Sequence, residues 1–156
     1  MFTWIKRLFG MSDDLKVLKG NGTWGFVVLV DGNDLVVRGA KATWFGGAND
    51  PQDNGETASG VSTKKRPYIL GCALPMNFGP CNGSPIPRVP WGTKVEVNHL
   101  ASGKTITVPV IDLGPARGTG NAIDLTPAAF KQFASLAEGK IMVDYRIPGG
   151  AKYLTA

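Results

Sequence analysis

Two aspartates, Asp112 and Asp124, each stand between an isoleucine and a leucine, and the run "GPARGTG" lies between the two triplets. A carboxylate among β-branched neighbours is costly unless it is hydrogen-bonded or paired. Two carboxylates brought close in a partly apolar pocket push their titrations apart, so that one keeps its proton near neutral pH. A protonated carboxyl is what a glycosidic oxygen needs from a general acid. The same spacing also fits a plainer arrangement, in which Asp124 accepts backbone N–H bonds in a loop and Asp112 shapes its own turn. The glycine loop lacks the Lys-Ser/Thr pair of a phosphate loop, and no helix begins directly after it, so no nucleotide cofactor is expected. One histidine and two cysteines, Cys72 and Cys81, do not make a zinc ligand set, and no metal is expected. The two cysteines are compatible with a disulfide or with free thiols.

The elements that must position these groups are mainly strands. "FVVLV" (26–30) and "DLVVRG" (34–39) flank "DGN" and predict a β-hairpin. "KATWF" (41–45) predicts a third strand, followed by a long polar loop over 46–67, a length that is often functional. "YILGCAL" (68–74) reads as a buried strand, and "TKVEVNHL" (93–100) as a half-buried one. "TITVPVIDL" (105–113) is a strand in which Pro109 implies an edge or a bulge. "NAIDL" is short and extended, and "KIMVDYRI" (140–147) is a last strand. A helix is predicted over 126–136, with Thr126 as N-cap, Pro127 in the first position, Leu125 stapled against Phe130 and Gly139 closing its end. Strands with one short helix predict a small β-barrel.

Composition narrows the partners. A chain of 156 residues with 43% hydrophobic content can bury a core, and 21 glycines with 11 prolines point to many turns. The net charge of +5 suits an anionic partner, but apart from Lys64, Lys65 and Arg66 the basic residues are dispersed, and no nucleic-acid partner is expected. No apolar run is long enough to span a bilayer, so no integral membrane segment is expected. In "MFTWIKRLFG" the charges of Lys6 and Arg7 follow the apolar residues, the reverse of a cleavable signal. Oligomeric state is left open by the sequence.

From about Ala42 to Ile147 the chain resembles the double-psi β-barrel domain of rare lipoprotein A and the barwin, expansin and family-45 endoglucanase group. "ATWFGG" looks like the family's opening strand, and "ETASG" (56–60) matches its Thr-Ala-Ser-Gly turn. "VPWGTKVEVNHLASGKTITVPVIDLGP" follows its two-strand block, and "NAIDLTPAAFKQF" its Ile-Asp-Leu block. The resemblance implies a mainly β fold, a six-stranded double-psi barrel over 41–150 with one short helix; the extension over 1–40 lies outside the resemblance and carries the β-hairpin predicted from its residues. It also implies work on peptidoglycan or a related polysaccharide, often as a lytic transglycosylase, in which the muramoyl C6 hydroxyl closes onto its own anomeric carbon. One carboxyl group, first acid and then base, can then suffice. Membrane-bound lytic transglycosylase A has a similar barrel, and its catalytic aspartate carries over to Asp112. Asp124 is similar in place to the catalytic acid of family-45 endoglucanases, and serves as orienting partner or as the acid itself. Action is implied at the cell wall or outside the cell; a phage-encoded protein released on lysis would reconcile that with the absence of a signal.

The chain also departs from this pattern. The glutamate that follows Thr-Ala-Ser-Gly in such enzymes is Val61, their histidine is Leu74, and the arginine after the first aspartate is Leu113. The first-strand aspartate of family-45 enzymes is Gly46, though Asp50 or Asp53 could reach in. His99 aligns with a non-catalytic asparagine and reads as structural. The surviving acids fit a single-acid mechanism, and equally a barrel that binds glycan without cutting it or serves as a virion module. Sugar binding needs flat apolar faces beside hydrogen-bonding groups. Trp44, Phe45, Tyr68 and Phe78 are candidates for the first, while Trp91 reads as core. Trp44 and Phe45 point to opposite faces of an extended strand, so only one can line a groove. Asn54, Thr57, Asn77 and Asn121 are the polar candidates. Lys64, Lys65, Arg66 and Arg117 are candidates for stem-peptide carboxylates, against the ordinary reading of a solvated charged face.

Overall fold

The computed structural model describes residues 15–22, 24–47 and 54–155. The N-terminal amphipathic segment, Asp50 and Asp53 lie outside the described residues. Among the described residues eight strands run in the order β1 Leu15–Leu18, β2 Val28–Asp31, β3 Asp34–Trp44, β4 Cys72–Leu74, β5 Lys94–His99, β6 Thr105–Leu113, β7 Asn121–Leu125 and β8 Ile141–Ile147. Their spatial order is β1-β2-β3-β7-β4-β6-β5-β8, and β8 pairs back onto β3. Six strands therefore close into a barrel, and β1 and β2 form an antiparallel flap on its first strand. Two of the barrel pairings are parallel, β3 with β7 and β4 with β6, among otherwise antiparallel neighbours. This is the mixed, double-psi barrel that the sequence blocks imply.

The expected hairpin forms around Gly32 and Asn33, but its second strand does not end at Gly39. It runs on as the first barrel strand. A bulge between Val37 and Ala40 absorbs the register change, and Gly39 sits there at φ 60. The Gly39 N–H, taken out of the ladder, donates to Asp144 Oδ1 at 2.7 Å. Arg146 fastens the flap to β8, with Nη2 3.0 Å from Asp31 Oδ2 and Nη1 2.6 Å from Asp34 Oδ2.

Fully buried Leu35, Leu74, Ile123, Leu125, Phe130 and Tyr145 fill the barrel. Tyr145 donates its hydroxyl to Ala122 O at 2.9 Å, which satisfies the one polar atom it carries inside. Pro109 lies one residue before the β4 ladder begins at Val110, so its missing N–H breaks no pairing there. Cys72 and Cys81 are both free and buried.

The segment over 68–74 is less regular than its composition predicts: only Cys72–Leu74 is strand. The residues before it are held by Thr126, whose hydroxyl donates to Ile69 O and accepts from Gly71 N. Thr126 also caps α1, Pro127–Lys131, the one α-helix among the described residues. That helix is shorter than predicted because Ser135 starts a separately capped 3₁₀ turn, Leu136–Glu138, which Gly139 closes at φ 70.

Candidate active site

The register of three strands assembles the two aspartates. Thr43 of β3 faces Asp124 of β7, Asp124 faces Ala73 of β4, and Ala73 faces Asp112 of β6. Their sequence neighbours Ala42, Ile123, Leu125, Cys72 and Leu74 point into the core. By strand alternation the row Thr43–Asp124–Ala73–Asp112 lies on the opposite side. β4 lies between the two carboxylate-bearing strands, and at the crossing it carries only the methyl of Ala73.

The two carboxyls have different surroundings. Burial pushes the Asp124 carboxyl up, a hydrogen bond from the Thr43 hydroxyl pulls it down, and the charge of Asp112 pushes it up again. Thr43 Oγ1 donates to Asp124 Oδ1. Asp112 Oδ1 instead accepts two backbone N–H bonds, from Ala58 at 2.9 Å and from Leu113 at 2.8 Å. Donors of this kind favour a carboxylate. Ala58 is delivered by the Thr-Ala-Ser-Gly turn. Ser59 N–H docks that turn on Ile111 O at 3.3 Å, and Thr57 Oγ1 closes it on Val61 O at 2.7 Å. Below the row, burial first and the Asp124 charge second hold the Cys72 thiol far above its usual range, which makes it a packing group rather than a nucleophile.

The other predicted residues separate into groups. Trp44 lines a groove of about 470 Å³, its indole N–H held by Leu136 O at 3.1 Å. Phe45 is half-buried and pairs its N–H with Leu125 O, outside that groove. Thr57 supports the turn on Asp112, as described. Asn54 Oδ1 caps Glu56 N–H, and Asn77 Oδ1 accepts from Gly83 N–H at 2.6 Å, so both oxygens serve local turns. Asn121 begins β7 with Oδ1 buried and no hydrogen-bond partner among the described residues. Arg117 is exposed and its guanidinium lies over Gly22, toward the flap.

Trp91 is not core: it is 38% exposed and meets Phe78 edge-on at 6.4 Å between ring centres. The glycine beside it and the open turn at 90–93 leave no barrel interior for it to enter. Arg88 stacks on Phe78 at 4.1 Å, and the backbone at Gly79 approaches Leu113, the residue after Asp112. A second aromatic surface thus stands near the Asp112 end of the row. His99 is buried, bonded through Nδ1 to Ser102 Oγ and packed on Phe133, which is a structural placement. Leu74 is fully buried and Val61 half-buried, so neither position supplies an acid or base.

Thr43 was missed by sequence reasoning. Its only signal was a small hydroxyl side chain beside Trp44 on a strand, and such a residue reads equally well as surface. Only the β3–β7 register shows what it touches.

The family described as lytic transglycolase matches residues 38–145. The chain is 27% identical over 106 residues to the "Probable endolytic peptidoglycan transglycosylase RlpA" of Aquifex aeolicus (strain VF5). That alignment covers 68% of this chain but 39% of the relative's own length. Among solved structures the chain is similar to the Streptomyces papain inhibitor, with a TM-score of 0.50 and 27% identity, over 74% of this chain and 96% of that one.

Proposed function

The chain belongs to the lytic transglycolase family of double-psi β-barrels, and from that premise we propose that it cleaves peptidoglycan strands by intramolecular transglycosylation at the Asp112–Asp124 row. Asp124 is the general acid. Its carboxyl, whose titration burial and the charge of Asp112 push up, gives its proton to the glycosidic oxygen as the bond to the muramoyl anomeric carbon breaks. Asp112, held as a carboxylate by the Ala58 and Leu113 amides, opposes the positive charge that develops on the sugar ring. The muramoyl C6 hydroxyl then attacks the anomeric carbon and loses its proton to one of the two carboxylates. The products are a free 4-hydroxyl on the leaving sugar and a 1,6-anhydro end. We place the reaction at the cell wall, where that glycan is found.

The single observation behind this reading is the pairing of Asp124 and Asp112 on either side of Ala73. The test is incubation of the protein with purified peptidoglycan, with anhydro-muropeptides sought by mass spectrometry. Release by wild type but not by Asp112→Asn or Asp124→Asn supports the reading. No release by wild type, or undiminished release by both variants, sinks it.

One observation favours a second reading: Val61 and Leu74 stand where the enzymes of the rare lipoprotein A group carry a glutamate and a histidine. On that reading the barrel holds cell-wall glycan without cutting it. Retention on insoluble peptidoglycan with no anhydro product is its signature.

A further inference from the structure

Trp91 is 38% exposed, whereas Trp24 is buried and Trp44 half-buried. A single exposed apolar residue needs no explanation, but this one belongs to a built platform. The turn that carries it is fixed at both ends. The Thr93 amide and hydroxyl both donate to Pro90 O, at 3.1 and 2.7 Å, and the Gly92 N–H donates to Val110 O at 2.8 Å. Phe78 meets the indole edge-on, and the backbone just before it is held by Asn77 N–H on Ile86 O at 2.8 Å. The exposed Arg88 guanidinium lies over the Phe78 ring at 4.1 Å. It has no ion-pair partner among the described residues, so its N–H groups are free to meet a ligand. An exposed ring bordered by such donors matches a pyranose, which shows C–H groups on its faces and oxygens around its edge.

The platform stands beside one aspartate and not the other. Gly92, next to Trp91, is bonded to Val110, two residues before Asp112 on β6. Gly79, next to Phe78, approaches Leu113, the residue after Asp112. The segments that carry the two rings thus hold β6 on both sides of Asp112. Across the barrel wall the strands follow one another as β7, β4, β6 and β5, with Asp124 on β7, Asp112 on β6 and the Trp91 turn leading into β5. Neighbouring strands lie about 4.8 Å apart, close to the length of one sugar unit. A glycan crossing these strands with its leaving sugar at Asp124 and its muramoyl ring at Asp112 brings its next ring to Trp91.

We propose that Trp91, with Phe78 and Arg88, forms a sugar-stacking subsite that holds the ring preceding the muramoyl unit, on the far side of Asp112 from Asp124. This rests on the peptidoglycan reading and gives the bound glycan a direction. The test compares two peptide-free ligands, GlcNAc–MurNAc–GlcNAc–MurNAc and MurNAc–GlcNAc–MurNAc, which differ by the one ring assigned to the platform. Affinities are read by calorimetric titration of the full chain carrying Asp124→Asn, so that neither ligand is consumed. The tetrasaccharide should bind about five- to tenfold tighter, as one ring contact on an aromatic face is worth. Adding Trp91→Ala should bring the two affinities together by weakening the tetrasaccharide, and Trp91→Tyr, which keeps an aromatic face, should retain most of the preference. Loss of a merely structural indole would weaken both ligands alike and leave their ratio in place. Equal affinity for the two ligands before Trp91 is changed, or a ratio that survives Trp91→Ala, overturns the inference. If wild type releases anhydro products from glycan yet the ratio is one, this inference alone fails. If neither ligand binds and wild type releases nothing, the peptidoglycan reading fails with it.

Discussion

The Thr43 hydroxyl donates to Asp124 Oδ1 across the parallel β3–β7 pair. On the far side of Ala73, Asp112 takes its hydrogen bonds from backbone amides. The two aspartates are symmetric in sequence, each inside Ile-Asp-Leu, and unequal in structure. One is half-buried beside a hydroxyl and the other is gripped by two N–H groups.

This inequality predicts the effect of neutralising each residue. Asp124→Asn removes the proton donor, and Asp112→Asn removes the charge that opposes the developing cation. Each should lower anhydro-muropeptide release by about 10²-fold or more, in the range typical for loss of a general acid or base. Circular dichroism and melting curves should show both variants folded. A variant that is folded and fully active would remove that residue from the mechanism.

Asp124→Asn should also stabilise the protein, with a definite pH dependence. The folded carboxyl titrates above its unfolded range because of burial first and the Asp112 charge as a further push. The protonated form is therefore the one that folding favours. At pH below the unfolded value, about 3.9, wild type and variant should melt together. As the pH rises toward and through the folded value, wild type loses stability that the variant keeps, so the gap in Tm should open and then level off. A gap that closes with rising pH contradicts the assignment.

Thr43→Val tests the hydroxyl. The bond from Thr43 lowers the Asp124 titration, so removing it should move that titration up. If Asp124 must be protonated to act, the alkaline limb of the kcat/KM profile should move to higher pH in the variant. A limb that stays in place or moves down would show that Thr43 does not tune this group.

The flap offers a separate test of the fold. Arg146 is nearly buried and bridges Asp31 and Asp34, which ties β2 and β3 to β8. Arg146→Ala takes the guanidinium away from the Asp31 and Asp34 carboxylates and should cost about 3–5 kcal/mol in denaturant melts. Loss well under 1 kcal/mol would mean that the flap is held by its strand pairing alone.

Much of this was legible in the chain itself. Alternation of polar and apolar residues marks β5, β6 and β8, and Thr126-Pro127 marks the start of α1, because strand and helix periodicities and capping are local properties. The Ile-Asp-Leu triplets marked the acids, because a carboxylate between branched side chains is unusual anywhere. Other features depend on pairs far apart in sequence. The 68–74 segment is mostly not strand because the Thr126 side chain takes its hydrogen bonds, and Trp91 is surface because the barrel wall leaves it no interior position. Residues 34–44 form one strand because a glycine bulge lets β3 serve both the flap and the barrel. The aspartates become a site only because β4 inserts between β6 and β7 and carries an alanine at the crossing. Residue type is written in the sequence. Register is settled by which strands the closed barrel lays side by side, and it gave Asp124 its hydroxyl partner, while the docked 56–60 turn brought Asp112 the Ala58 amide.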